Sequence, residues 1–180
     1  MEPSVLIKQA DALVRHSLID LVSDLRATAW AGRRENEVRS LYAFGHLVTR
    51  CHPDHFLRDP TQIALDVPVP QIEAEAQRAL SGGTGTPKRD VAKDLVIWPR
   101  PRMTCWVEDK ADAHPTVLIE WKVNRTSPSS YDVAWLQRFS ASREAFVGYA
   151  VAVDLGSSRY ALACTRVQRG HADARWLSLD

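Results

Sequence analysis

The chain has 180 residues, 45% of them hydrophobic and 25% charged, which is enough for one domain with a proper core and ordinary for a globular fold. A net charge of +1 sets up no strong field over the whole molecule, so a nucleic-acid partner is neither demanded nor excluded and would need a local basic patch. Cys51, Cys105 and Cys164 are scattered and odd in number, no apolar run reaches membrane-spanning length, and Met1-Glu-Pro-Ser lacks the features of a signal peptide; reduced thiols and a cytoplasmic location are expected.

In chain order, Pro3 to Trp30 reads as a long amphipathic helix, with Val5, Leu6, Ala10, Leu13, Val14, Leu18, Leu21, Val22 and Leu25 at three- and four-residue steps. It is a core wall, or alternatively a dimerisation surface. Gly32 interrupts the pattern, and a second helix is expected from about Arg33 to Thr49, with Glu35 and Glu37 in its first turn, where acids suit the positive helix end. Cys51-His-Pro-Asp-His55 lacks a second ligand pair at metal-binding spacing and reads as a polar loop. Ile63 to Pro70 is a strand near an edge, because Pro68 and Pro70 cannot donate ladder hydrogen bonds. Gln71 to Leu80 is a short helix. Ser81 to Arg89 lacks both phosphate-loop patterns and reads as a flexible loop, which frees Lys88 and Arg89 to touch a phosphate backbone.

Val91 to Trp98 is a buried strand carrying one acid, Asp94. Met103 to Val107 is its expected hairpin partner, and Glu108 to Asp112 a polar turn. The next strand, Pro115 to Val123, is the most informative stretch. Val117, Ile119, Trp121 and Val123 share one face, and Glu120 and Lys122 point the other way with Leu118. A carboxylate and an ammonium in so apolar a strand are costly to bury unless paired or metal-bound. Side chains two apart on a strand sit roughly 6.6 Å apart along the backbone, loose for a direct ion pair. A helix from about Tyr131 to Ala145, a buried strand from Phe146 to Leu155, a turn at Gly156-Ser-Ser, a strand from Tyr160 to Val167 and a short edge strand from Arg175 to Leu179 complete the reading.

Asp94 on one strand, Glu120-Trp121-Lys122 on the next and a glutamate on an earlier helix resemble the PD-(D/E)XK superfamily of restriction-endonuclease-like nucleases. The order helix, strand, Asp strand, Glu-x-Lys strand, helix, strand spans Arg33 to Leu155. Lys93 stands where the motif name has proline, a departure common in the superfamily. The resemblance implies an α/β fold over residues 1–180, with a restriction-endonuclease-like core whose central mixed β-sheet is flanked by helices, and the helix 3–30 packed on it or extending from it. It implies a metal-dependent nuclease acting on DNA in preference to RNA, in restriction, repair or defence, using Mg²⁺ with Mn²⁺ as a substitute. Asp94, Glu120 and the Trp121 main-chain carbonyl would be the ligands, and Lys122 would act as base or electrostatic anchor. Glu37, on the side marked by Leu41 and Phe44, would be the helix acid, with Glu35 as its alternative. Gln137 matches a supporting polar position, with Asp132 another candidate, and Lys88, Arg89 and Arg125 are candidate nucleic-acid contacts. Trp98 and Trp121 are assigned to the core, and Trp135 is the tryptophan that could stack on a base. The rival readings are a nuclease-fold protein without activity that binds nucleic acid, and a protein-interaction module that assembles through the first helix.

Overall fold

The apolar spacing of Ile7, Ala10, Val14, Leu18, Leu21, Val22 and Leu25 forms one helix, α1 (Pro3–Thr28), and all these side chains are buried. The helix stops where Ala29 takes a left-handed conformation (φ 46°) and its N–H returns to the Arg26 carbonyl. The protein is described by a computed structural model covering residues 2–30, 32, 34–83, 86–108, 110–156 and 160–180. The expected helix start at Arg33, Thr84 and Gly85 of the glycine-rich loop, Asp109 of the polar turn, and Ser157 and Ser158 of the late turn lie outside the described residues.

The second helix is not one regular helix. An α-helix, α2 (Glu35–Leu41), passes into a π-helical stretch over Tyr42–Leu47 and a 3₁₀ turn over Val48–Arg50. Strand β1 (Ile63–Pro70), helix α3 (Ala74–Leu80) and strand β2 (Asp90–Ile97) follow. The expected hairpin partner of β2 is not in the main sheet. Trp106–Val107 (β3) pairs instead with Lys110–Ala111 (β4) as a separate two-stranded ribbon, because the residues nearest β2 are already taken by its other neighbour. Strand β5 (Val117–Val123), helix α4 (Ser130–Ser140), and strands β6 (Val147–Asp154), β7 (Ala161–Gln168) and β8 (His171–Leu179) complete the chain. Helix α4 ends five residues before the expected Ala145, and β8 begins earlier than the expected Arg175.

The α/β architecture and central mixed sheet are therefore present. The sheet has six strands in the order β1-β2-β5-β6-β7-β8, antiparallel throughout except for the parallel pair β5/β6, which α4 connects. Two cores result. One holds α1 and the α2 region against Leu95, Ile97, Val117, Ile119, Trp121, Tyr149 and Val151; the other holds Trp135, Leu136 and Phe139 of α4 against Val96, Trp98, Leu118, Ala150 and Val167. Strand β5 is thus covered on both faces, which explains its near-continuous apolar run. Trp98 and Trp121 are both core residues. Among the described residues, no helix is long and apolar enough to cross a membrane.

Helix α4 sits close to the sheet because β6 offers Gly148 beneath it. A Cβ there would lie 2.5 Å from Leu136 Cδ2. Gly148→Ala is expected to cost about 1–3 kcal/mol by overpacking. Chemical denaturation checks this, and Leu136→Ala in the same chain should recover part of the loss, so that the two effects fail to add.

Candidate active site

The site begins with a slip in strand alternation. On β2, Leu95 and Ile97 face α1, and Val96 and Trp98 face α4. Continued alternation would send Lys93 towards α1, yet its ammonium lies on the α4 side, 3.7 Å from the centre of the Trp135 ring, and Val91 packs there too. Neighbouring β1 slips at the same level. Ile63 and Leu65 join the α1 core while Val67 and Val69 join the other, and Asp66 between them has φ 52°. The pairing register is unchanged across the slip, Leu65 opposite Leu95 and Val67 opposite Lys93. Both strands turn over together.

Asp94 stands at the turnover. One carboxylate oxygen accepts the Trp121 main-chain N–H at 2.8 Å, and regular β2/β5 pairing ends beside it, at Leu95 opposite Ile119. The other oxygen accepts from Arg39 at 2.9 Å, and the same guanidinium reaches Asp66. Arg39 is 6% exposed, so a side chain of α2 spends its charge inside the protein on two strand carboxylates.

Glu120 lies on the α4 side of β5, 6% exposed, and its ion-pair partner is Lys93. Burial pushes the Glu120 carboxyl up to about 7; Lys93 pulls it back only in part, and Asp94 adds to the rise. The folded value lies above the ordinary 4.5, so the fold favours the protonated form. This contribution to stability is fully present below the ordinary value, declines as pH rises towards about 7 and is flat beyond it. Glu120→Gln is expected to flatten the decline, whatever its offset in stability, when denaturation is followed across that range.

Lys122 projects on the same side as Glu120, at the open end of β5. Its ammonium donates to the Trp121 carbonyl at 2.6 Å and lies 3.7 Å from both Glu35 and Asp132. Burial lowers its proton affinity, but Asp132, Glu35, Asp94 and Glu120 more than reverse this, so the net shift is upward and the group is held charged. Asp132 comes from the first turn of α4, capped by Ser129, whose Oγ accepts the Asp132 N–H.

Of the two glutamates at the start of α2, Glu35 is the one placed beside Lys122. Glu37 is occupied at the start of α2, where its carboxylate accepts the Arg34 N–H at 3.0 Å. Phe44, the guide to Glu37, is 63% exposed and does not mark an inward face. The inward face carries Arg39, one turn from Glu35, and Tyr42, whose ring meets Trp121 at 5.0 Å. Glu37→Ala should therefore cost only stability, about 1 kcal/mol by denaturation, because it removes the acceptor that caps the helix. Glu35→Gln should leave stability nearly unchanged and reduce whatever chemistry Lys122 supports, measured as turnover.

The remaining candidates are dispersed. Lys88 lines a cavity of about 260 Å³ with Gln71, Arg78, Val91, Tyr131 and Trp135, and its own backbone is tied to Gln77. Arg89 lies over exposed Trp106, 5.8 Å from the ring centre. Arg125 is exposed beside the ends of β7 and β8, and Gln137 donates to the Gly170 carbonyl, fastening α4 to the β7/β8 turn rather than supporting the site. Trp135 is buried between Lys93 and Phe139, whose ring stacks 4.7 Å away, and offers no face to a base.

Asp94, Glu120 and the Trp121 carbonyl are hard oxygen donors of the kind Mg²⁺ takes, and Glu120 keeps a raised proton affinity because Lys93 does not fully offset its burial. In that chemical sense the donors fit a divalent ion. Each one, however, holds a protein cation: Arg39, Lys93 and Lys122 respectively. Among the described residues, no group of three acidic, histidine or cysteine side chains is gathered in one place. Arg39, Lys93 and Asp66 are the participants sequence reasoning missed. Only Lys93 had a local signal, a lysine inside an apolar strand next to the motif acid. No family model matches this chain, and no curated protein or solved structure proved significantly similar to it.

Proposed function

We propose that the chain is a metal-dependent nuclease with a restriction-endonuclease-like core, hydrolysing phosphodiester bonds in DNA in preference to RNA. The observation carrying this reading is the junction of β2 and β5: the Asp94 carboxylate takes the Trp121 N–H, while Glu120 and Lys122 project beside it and the Trp121 carbonyl meets Lys122. Asp94, Glu120 and that carbonyl would hold Mg²⁺ or Mn²⁺. The ion would supply charge neutralisation and a more acidic water. Lys122, held cationic by Asp132 and Glu35, offsets the negative charge that grows on the phosphate oxygens during attack. Glu35 steers a water on the α2 side. Lys88, Arg78 and the half-exposed Tyr131, one residue from Asp132, provide cations and an aromatic face for the strand as it approaches.

The test is cleavage of linear, circular and single-stranded DNA and of RNA, in Mg²⁺, Mn²⁺ and EDTA, with Glu120→Ala beside the native chain. Cutting that needs metal and is lost in the variant supports the reading and names the substrate. Cutting that survives in the variant assigns the activity elsewhere. A second reading, a nuclease-fold protein that binds nucleic acid without cutting, draws on one observation: all three donors already carry internal cations. Binding without cleavage under every metal condition would favour it.

A further inference from the structure

Lys93 has an unusual position for a lysine. Its side chain is 4% exposed, its ammonium rests on the Trp135 ring, and its partner Glu120 is almost as deeply buried. It reaches this place only because β2 turns over at Asp94; regular alternation would have sent it to the α1 side. Trp135 is itself fixed, stacked on Phe139 and donating its indole N–H to Gln71 Oε1 at 2.6 Å, so the cation has a rigid seat. A charge in such a place is retained only with a partner, and Glu120 is that partner.

The groups joined in this region are Asp66, Asp94, Glu120, Glu35 and Asp132 against Arg39, Lys93 and Lys122. With Glu120 ionised, five carboxylates face three cations, an excess of two negative charges. A divalent ion could not share Glu120 with Lys93 at ion-pair range without strong repulsion between like charges. Resting on the reading of Asp94 and Glu120 as metal ligands, we propose that Lys93 is a built-in competitor for the metal: it neutralises Glu120 in the resting protein and must release it before a divalent ion binds. The chain then holds metal weakly when alone. It commits to the ion only when a further negative charge, such as the substrate phosphate, enters the same field.

The experiment titrates Mg²⁺ and Mn²⁺ into the full chain without substrate, at one mildly alkaline pH, reading thermal stability and binding heat. The variants are Lys93→Met, which keeps an apolar stem over Trp135 and removes the charge, and Trp135→Phe, which keeps a ring on Phe139 but weakens the seat of the ammonium. Lys93→Met is expected to bind the ion at least about tenfold more tightly than the native chain, the scale of removing one nearby like charge in a partly shielded site. Trp135→Phe should move in the same direction by less, and it decides the matter if Lys93→Met does not fold. Equal or weaker binding in the variants, with metal bound by the native chain and lost in Glu120→Gln, overturns the role of Lys93 and leaves the metal reading standing. Absence of metal binding in every variant, Lys93→Met included, overturns both.

Discussion

Lys122→Ala is expected to lower metal-dependent cleavage by about a thousandfold or more while leaving the chain folded. The two halves of that expectation have different origins. The ammonium is the one cation of the cluster that is substantially exposed, 38% for its side chain, and it stands at the open end of β5 rather than under a helix. Its ion pairs with Glu35 and Asp132 are long, 3.7 Å each; the half-exposed Glu35 can turn to water, and Asp132, 12% exposed, is the partner whose loss of a cation costs more. Asp132 also keeps the favourable field at the start of α4 when the lysine is gone. On the proposed reading, what the variant loses is charge aimed at the reacting phosphate. The loss should appear in kcat more than in KM, because the interaction strengthens as charge develops. Lys122→Arg, which keeps the charge but spreads it over a planar fork, should recover only part of the rate. Full activity in Lys122→Ala would remove this lysine from the mechanism and with it the main chemical content of the Glu-x-Lys motif here.

Much of the site was legible because β5 declares itself. Its acid and its lysine sit at alternate positions of an otherwise apolar strand, and the side chains do share a face as the period of two requires. Asp94 was equally visible as one acid in a buried strand. Less visible was the place each acid would occupy, since that depends on β1. The turnover at Asp94 is matched by a left-handed Asp66 about thirty residues earlier, and no local signal in β2 predicts it. The same non-locality hid Arg39, whose role is fixed by two strands that follow it in the chain. That Glu35, the alternative, rather than Glu37 stands beside Lys122 has a helical reason. Residues two apart in a helix point about 200° apart, and the guide Phe44, two turns beyond Glu37, shares the exposed side of Glu37 rather than the buried one.

Arg39→Met is expected to be the most destabilising single change at the site, by about 3 kcal/mol or more, because it leaves a partly buried carboxylate without its cation. The cost falls unevenly on the two partners. Asp66 has a side chain 67% exposed and can turn to solvent, whereas Asp94 is 18% exposed and fixed by the Trp121 N–H. Denaturation of Arg39→Met, Asp94→Asn and the double variant should therefore show strong coupling, the double losing well under the sum of the singles. Additive losses would mean that Arg39 stabilises the chain by packing its stem rather than by its charge. The same variant also tests why the arginine is there. If Asp94 is a metal ligand, removing its resident cation makes room for another, and Mg²⁺ should return most of the lost stability to Arg39→Met while doing little for Arg39→Met/Asp94→Asn. If the cluster is a structural clamp alone, Mg²⁺ returns nothing to either. The outcome bears on both readings of the fold, since an inactive scaffold needs Arg39 permanently in place, and a nuclease needs it able to share Asp94.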